Sequence, residues 1–208
     1  MRYILFLLIA MLQLPLFAQN GADKANALLD RALAGLKADV PVRMDYTYRL
    51  LDEDGEALQE DRGVIYVGNG RYALLMQDMK VWCDGMTQWS YMREVDEVYV
   101  TDAVSDEAQN LSPLYIMEHY RTGRTVSLAD DGAVAVVTLQ PMVDDGTESV
   151  ELHIRKDGNR LVKMVIYMPG QGNVEVLLDG YAAKCGADSS VFVCPVDEFR
   201  TAEIIDMR

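Results

Sequence analysis

Residues 42–50 read VRMDYTYRL, and the spacing of their side chains decides the fold. Apolar or aromatic residues alternate with polar ones along the whole stretch, beginning with Val42 and ending with Leu50. A period of two residues places the two sets on opposite faces of a β-strand, so one face is buried and the other is hydrated. The next residues, Asp-Glu-Asp-Gly at 52–55, are typical of the turn that ends such a strand.

Short apolar segments of the same kind follow along most of the chain, and Gly, Asn and Asp residues separate them. Such short connections suit antiparallel neighbours and cannot make a parallel crossover. A sheet of about eleven strands curls or closes to hide its edges, and the regular turn spacing is typical of a barrel or a sandwich. Besides 42–50, the predicted strands cover about 63–68, 71–77, 79–84, 86–93, 96–101, 125–129, 133–140, 148–156, 160–168 and 173–182.

Two helical segments accompany the strands. Leu and Ala residues recur at helical spacing across 23–38, and Pro41 ends that pattern. A second segment, 106–122, is predicted to hold one or two short helices, because Ser112 followed by Pro113 is a good helix start. Two helices are too few to cover both faces of a long sheet, but they can cover one open mouth.

Residues 1–18 are predicted to be a secretory signal peptide. Arg2 precedes an apolar stretch that ends at Phe17, and small Ala18 stands at the cleavage position. The stretch is short for a transmembrane helix, which needs about 20 residues. We therefore expect an exported, periplasmic protein in which residues 19–208 form a single domain.

The charge balance and the scarcity of metal ligands exclude several functional classes. The chain carries 33 Asp and Glu residues against 19 Lys and Arg, a formal net charge of -14. Nucleic-acid binding needs clustered positive charge, and the sequence has no such cluster. Two His and three Cys residues, without CxxC or HExxH spacing, predict neither a metal site nor a haem, and we expect no other cofactor.

The three Cys residues are an odd number for an oxidising compartment. Cys185 and Cys194 lie on either side of a Gly-Ala-Asp-Ser-Ser turn, and they are candidates for a disulfide. Cys83 would then be left over inside an apolar strand, where a buried, inert thiol explains it better than a reactive one.

No set of residues predicts catalysis. No Ser or Cys occupies a nucleophile-elbow context such as GxSxG, and His119 and His153 are best explained as structural residues. Acidic pairs such as Asp130-Asp131 stand beside Gly in turns, where Asp is favoured by its backbone hydrogen bonds. We therefore predict that the protein is not an enzyme.

The apolar positions of the strands are rich in Tyr and Met. Met fills adaptable apolar surfaces, and Tyr combines an apolar ring with a polar tip, although an ordinary barrel core would explain this composition as well. The width of the sheet favours a cavity, because about eight strands already enclose room for a ligand. The candidates for its lining, chosen by pattern, are Leu29, Leu33, Met76, Trp89, Tyr91, Leu114 and Met117.

Several motifs, in their order along the chain, resemble the LolA family of periplasmic lipoprotein carriers. The most specific part is the Asp84-Gly85 turn with Trp89-Ser90-Tyr91 and Glu97-Val98, which resembles the form in Bacteroidetes-type members. The match extends over nearly the whole chain after the signal peptide. The motifs are GVIYV at 63–67, GRY at 70–72, WCDGMTQWSY at 82–91, EVYV at 97–100, the helix start at 112–113 and IIDMR at 204–208.

The resemblance implies a mainly β (α+β) fold class, with an incomplete antiparallel β-barrel and a helical lid over a hydrophobic cavity. It also implies a chaperone, which we expect to be a monomer, that takes acylated lipoproteins from an inner-membrane exporter to an outer-membrane receptor. In the best-known carriers an arginine in the strand after the first hairpins helps to hold the lid. Here that strand, 71–76, lacks the usual proline and has a single arginine, so Arg43 and Arg71 are the candidates for lid control.

Two other classes of function stay open. A periplasmic module of the same fold could bind other lipids, or sense mislocalised lipoproteins and signal to a membrane partner. An exported hydrolase is the third class, although the sequence offers no nucleophile in context. The net negative charge fits a shuttle, because it disfavours adsorption to anionic lipid surfaces.

Overall fold

The structure is a computed structural model, and it describes residues 14–105, 117–119 and 121–208. One α-helix, α1 (Leu14–Asp39), precedes twelve β-strands, and three short 3-10 turns follow β9 and β11. The strands are β1 (Val42–Leu51), β2 (Ala57–Val67), β3 (Tyr72–Leu75), β4 (Met79–Cys83), β5 (Thr87–Met92), β6 (Glu97–Asp102), β7 (Arg124–Asp131), β8 (Val134–Pro141), β9 (Ser149–Arg155), β10 (Arg160–Met168), β11 (Gly172–Ala182) and β12 (Glu203–Asp206).

All twelve strands belong to one open sheet, in the order β12-β6-β5-β4-β3-β2-β1-β11-β10-β9-β8-β7. Two antiparallel meanders, β1–β6 and β7–β11, are joined where β1 pairs with β11, with Tyr46 opposite Leu178. The pairing of the first strand with a strand more than a hundred residues later brings the two halves of the chain into one curved layer. The sheet is not closed, so the predicted incomplete barrel and the mainly β fold class are confirmed.

The predicted strands correspond to β1–β11, and the structure adds a twelfth. Strand β12 pairs in parallel with β6, with Ile204 opposite Val98. Its four residues are too few to show a period, and three of them are exposed, so the sequence did not indicate a strand there. Strand β2 begins at Ala57, earlier than predicted, because 57–62 is largely polar and exposed yet continues the pairing with β1.

Helix α1 lies against one face of the second meander, and the predicted helix over 23–38 is confirmed. Its buried stripe includes Ala25, Leu28 and Ala32, which pack with residues of β8 and β9 such as Leu139 and Leu152. Burial of one Leu side chain stabilises a fold by about 1.5–3 kcal/mol, so this stripe fixes the helix on the sheet. Of the second predicted helical segment, 117–119 is helical, and 106–116 lies outside the described residues.

Residues 186–202, here called the C-terminal segment, cover the opposite face of β3–β6. Cys194 and Phe199 pack with Trp82 of β4, and the ring centroids of Trp82 and Phe199 are 5.6 Å apart. Leu74 and Leu75 show the change of face within one strand, because Leu75 joins this cluster whereas Leu74 faces the side that α1 covers. The sheet therefore has an apolar layer on each side, and α1 and the C-terminal segment cover different faces.

Candidate functional site

A cavity of about 380 Å³ lies between α1 and the face of the sheet that the helix covers. Strands from both meanders contribute to its wall, because the pairing of β1 with β11 brings them side by side. Its volume falls near the lower end of the range of about 300–1,000 Å³ that is usual for small-molecule sites. The lining residues are Ala32, Gly35, Leu36, Asp39, Met44, Tyr46, Tyr48, Ile65, Leu74, Met76, Met79, Met117, Gly158, Asn159, Arg160, Leu161, Met164, Val174, Val176, Leu178 and Tyr181.

Strand alternation explains which residues face the cavity. On β1 the residues that line it, Met44, Tyr46 and Tyr48, are every second residue, and on β11 Val174 and Val176 follow the same rule. The register places Tyr48 opposite Val176, so the two strands present one continuous apolar surface. Most of the wall therefore consists of hydrocarbon and aromatic groups.

Methionine and tyrosine give this wall its character. Five of the lining residues are Met, and three are Tyr. Unbranched Met side chains adapt to guests of different shape, as an acyl chain requires. Burial raises the pKa of Tyr46, so its hydroxyl group stays neutral at any physiological pH. Tyr46 therefore adds no charge to the cavity wall.

Polar groups gather at one end of the cavity, where α1 ends. The Tyr181 hydroxyl donates a hydrogen bond to Oδ2 of Asp39 at 2.8 Å. The guanidinium carbon of Arg160 lies 4.3 Å from the centroid of the Tyr181 ring, within cation–π distance. Arg31 of α1 donates to Oδ1 of Asn159 at 3.4 Å. These contacts join the helix to the β9–β10 turn and to β11 at the rim.

The other side of α1 contacts the segment that precedes β7. Arg121 donates to Oδ1 of Asp30 at 2.7 Å, and Lys37 forms an ion pair with Glu118. Lys37 and Asp30 are about half exposed, and Glu118 and Arg121 are about a third exposed. Exposed ion pairs of this kind contribute about 0–1 kcal/mol each to the stability of the fold. Weak polar contacts therefore hold one edge of the helix that covers the cavity.

The structure distributes the seven predicted lining residues over several environments. Met76 and Met117 line the cavity. Leu29 is buried in the α1 cluster with the second meander, and Leu33 is half-buried outside the cavity wall. Leu114 lies outside the described residues.

Trp89 and Tyr91 lie on the opposite face of the sheet from the cavity. Trp89 is opposite Trp82 in the register of β4 and β5. The ring centroids of Tyr91 and Phe199 are 4.4 Å apart, beneath the C-terminal segment. Within β5, the residues on the cavity's side of the sheet are Gln88, Ser90 and Met92, of which Gln88 and Ser90 are polar and Met92 is exposed. The two aromatic residues therefore contribute to the packing of the outer layer and do not line the cavity.

Within the described residues, the side-chain hydrogen bonds and ring contacts of Arg43 and Arg71 involve elements other than α1. Arg43 lies on the outer face of β1 and donates two hydrogen bonds to Asp45, at 3.1 and 2.7 Å. Hydrogen bonding to Asp45 raises the pKa of this arginine, so it stays charged. The guanidinium carbon of Arg71 lies 4.9 Å from the centroid of the Phe192 ring, at the C-terminal segment. The side-chain hydrogen bonds and ion pairs of α1 with the rest of the described structure involve instead Asn159, Tyr181 and the segment before β7.

The candidate disulfide between Cys185 and Cys194 is absent, and both cysteines are free thiols. The amide of Cys185 donates to the carbonyl oxygen of Pro41 beside β1, whereas Cys194 packs on β3–β6. The two cysteines therefore contact different parts of the sheet. Burial raises the pKa of Cys194 to about 11, so its thiol is protonated and inert.

Several lining residues did not emerge from the sequence. Val174, Val176, Leu178 and Tyr181 belong to β11, and the sequence did not indicate that this strand would pair with β1. The alternation in 42–50 was the available signal, because it places Met44, Tyr46 and Tyr48 on one face. Within the described residues, no group of three or more His, Cys, Asp and Glu could hold a metal ion.

His153, one of the two histidines, lies away from the cavity. Its Nε2 is 3.3 Å from Oε2 of Glu151 on the same strand, and Tyr167 also donates to that carboxylate at 3.3 Å.

No helix in the described part of the chain is both long and apolar enough to cross a membrane.

Comparisons with known proteins identify a family and a fold. The model of a family described as "Outer membrane lipoprotein carrier protein LolA" matches residues 46–164, which is more than half of the chain. No curated protein matches the sequence.

Solved structures share the fold at low sequence identity. An uncharacterized conserved protein from Thermus thermophilus is 11% identical, with a TM-score of 0.61 over 88% of this chain and 99% of that chain. A chain of the MucA/MucB complex of Pseudomonas aeruginosa is 15% identical, with a TM-score of 0.54 over 84% of this chain and 62% of that chain. These two matches support the overall architecture, and at such identity they support the fold alone.

Proposed function

The chain belongs to the family of outer membrane lipoprotein carrier protein LolA, and we propose that it is a periplasmic carrier of lipoproteins. In this function the cavity binds acyl chains and shields them while the protein crosses from the inner to the outer membrane. The observation that carries the proposal is the apolar, Met-rich cavity of about 380 Å³ beneath α1. The partners would be acylated lipoproteins, an inner-membrane exporter and an outer-membrane receptor.

The energetics of the cavity suit a carrier that must also release its cargo. Burial of one methylene group contributes about 0.8 kcal/mol, so a fully sheltered sixteen-carbon chain would gain on the order of 12 kcal/mol. Ordering of flexible Met side chains and of the helix on binding reduces that gain. The exposed ion pairs at the edge of α1 are weak enough to break when the helix moves. These features support tight but reversible binding.

The proposal places the mature protein in the periplasm after removal of residues 1–18. An apolar segment after Arg2 and a small residue at position 18 support this location. We further propose that residues 19–208 are one domain, since β1 from the first meander pairs with β11 from the second. The same apolar wall supports binding rather than catalysis.

The test is purification of the protein from the periplasm, followed by native mass spectrometry of the bound material. We expect acylated lipoproteins with the wild type and their loss from Val176→Trp, because the larger side chain fills the cavity. The matched control is Leu177→Trp, since Leu177 is the next residue along β11 and faces the other side of the sheet. Thermal unfolding of all three proteins shows that they are folded.

Two results would contradict the carrier function. One is a wild type that carries no lipoprotein and no lipid, and the other is equal cargo on Val176→Trp and on the wild type. A third result, in which free lipid but no lipoprotein is bound, would favour the alternative of a lipid-binding or lipoprotein-sensing module with the same fold.

A further inference from the structure

A second, smaller cavity of about 190 Å³ adjoins the polar end of the first. The two cavities share Met44, Arg160, Leu161, Leu178 and Tyr181. The smaller cavity adds the charged side chains of Arg155 and Asp179 to this shared wall. A hydrophobic compartment therefore leads directly into a charged one.

Arg155 and Arg160 face each other across the β9–β10 hairpin. They are paired directly in the register of these strands, and both line the smaller cavity. Residues directly opposite each other have Cβ atoms about 4.5–5.5 Å apart, and like charges at such positions are destabilising. A bound anion between the two guanidinium groups would remove this repulsion.

Five described arginines form no ion pair with a carboxylate, namely Arg31, Arg71, Arg155, Arg160 and Arg200, and of these Arg155 and Arg160 line the same cavity. Among the described residues, seven other arginines form ion pairs with carboxylates: Arg43, Arg49, Arg62, Arg93, Arg121, Arg124 and Arg208. Arg160 contacts the ring of Tyr181, and no described carboxylate forms an ion pair with it or with Arg155. In a chain with 33 acidic residues, two unpaired arginines at one cavity are a positive site.

The nearby carboxylates leave this site open to a ligand. Asp39 accepts the hydrogen bond of the Tyr181 hydroxyl. Asp179 lines the smaller cavity but, within the described structure, forms no ion pair with either arginine. Arg160 is held beside the shared wall by the Tyr181 ring at 4.3 Å, where it reaches both compartments.

We propose that Arg155 and Arg160 bind the anionic head group of an amphiphile whose acyl chain lies in the larger cavity. The head group is a carboxylate or a phosphate, because planar guanidinium groups bind both through paired, charge-assisted hydrogen bonds. The volume of about 380 Å³, near the lower limit of ligand sites, favours a single chain. This inference rests on the proposed binding of acyl chains. It adds a class of ligand, single-chain amphiphiles with an anionic head group, to the proposed lipoprotein cargo.

The test compares three probes with the same sixteen-carbon chain: palmitate, hexadecyl phosphate and neutral hexadecanol. Their affinities are measured at low salt by displacement of a fluorescent probe from the purified mature protein. We expect at least one anion to bind about tenfold more tightly than hexadecanol. In the double variant Arg155→Gln, Arg160→Gln the advantage disappears, while the affinity for hexadecanol is unchanged.

The matched control is Arg200→Gln, because Arg200 is exposed on the C-terminal segment and donates only to the carbonyl oxygen of Asp197. This variant should keep the preference for the anion. Added salt should weaken the preference of the wild type, since the site is partly open to solvent. Tighter binding of palmitate identifies a carboxylate head group, and tighter binding of hexadecyl phosphate identifies a phosphate.

The possible failures are distinguishable. If hexadecanol binds but neither anion binds more tightly, or if Arg200→Gln abolishes the preference equally, the head-group site is overturned and acyl-chain binding stands. If no sixteen-carbon probe binds, acyl-chain binding itself is contradicted, and the head-group site falls with it.

Discussion

The two covered faces belong to one sheet and share β3 and β4, yet they differ in how completely they are filled. Beneath α1 a cavity of about 380 Å³ stays open among Met, Tyr and aliphatic side chains. Beneath the C-terminal segment, aromatic rings contact each other, with Phe199 within 5.6 Å of Trp82 and 4.4 Å of Tyr91. A β-sheet face thus becomes a binding surface or a structural one according to the element that covers it.

The largest expected effect is on the face beneath the C-terminal segment. Phe192 is 1% exposed, and its ring lies against Gly68 and under Arg71. Phe192→Ala should lower the free energy of unfolding by about 3–5 kcal/mol, because it leaves a void in a filled layer. Urea denaturation measures this change.

Met76→Ala is the counterpart of that variant on the cavity side. Met76 is half-buried and already faces open space, so its truncation should cost about 1 kcal/mol or less. Equal losses of stability in the two variants would remove the proposed difference between the faces.

A smaller effect on stability is expected at Glu175 of β11, which lies on the face of the sheet opposite the cavity, outside the area that the C-terminal segment covers. Oε1 of Glu175 accepts a hydrogen bond from Arg49 at 3.1 Å, and Oε2 lies 2.5 Å from Nζ of Lys163. Burial alone would raise the pKa of this carboxyl group, but Lys163 and Arg49 lower it overall. Glu175→Gln should lower the free energy of unfolding by about 1–2 kcal/mol at pH 7.

The pH dependence of this difference follows from the direction of the shift. Because the folded pKa lies below the unfolded value of about 4.3, the contribution of Glu175 is fully present above that value. It is lost as the pH falls through the folded pKa. Unfolding free energies of the wild type and of Glu175→Gln should therefore converge below about pH 4, and a constant difference down to pH 3 would contradict the assignment.

The next effect concerns the polar rim of the cavity. Tyr181→Phe removes the hydrogen bond to Asp39 and should lower the free energy of unfolding by about 1 kcal/mol. The control is Tyr48→Phe, because Tyr48 also lines the cavity but its hydroxyl has no hydrogen bond within the described residues. Hydrogen exchange at the end of α1 should become faster in Tyr181→Phe only. Equal exchange in both variants would show that this contact does not hold the helix.

The last prediction is that reduction of the protein has no effect on its stability. Since Cys83, Cys185 and Cys194 are free, a reducing agent should leave the melting temperature unchanged. Thiol labelling of the unfolded protein should modify all three. A clear fall in melting temperature on reduction would mean that a disulfide, rather than packing, holds the C-terminal segment on the sheet.

The sequence predicted most of the strands because each of them shows a local pattern. Alternation in 42–50 and regular turns indicated β1–β11, and helical spacing indicated the part of α1 over 23–38. Strand β12 was missed because it is short, exposed and stabilised only by its pairing with β6. The family resemblance supplied the open form of the barrel, which the pattern alone could not distinguish from a sandwich.

The candidate site was predicted less completely, for a physical reason that Trp89 illustrates. An aromatic residue in an alternating strand is expected on a buried face, but here both faces of β5 are covered in part. Met76 lines the cavity, yet the same kind of reasoning placed Trp89 and Tyr91 there although they lie on the other side. The alternation of side chains along a strand divides its residues between two faces, but it does not identify the face that lines the cavity.

The sequence by itself determined the strands, the stripe of α1, the acidity and the absence of a nucleophile in context, since each depends on neighbouring residues. Only the tertiary structure decided that β1 pairs with β11, that α1 and the C-terminal segment cover different faces, and that Arg155 and Arg160 border the cavity. These features depend on contacts between residues far apart in the chain. Such contacts depend on how the whole sheet curves and packs, so no local pattern of side chains specifies them.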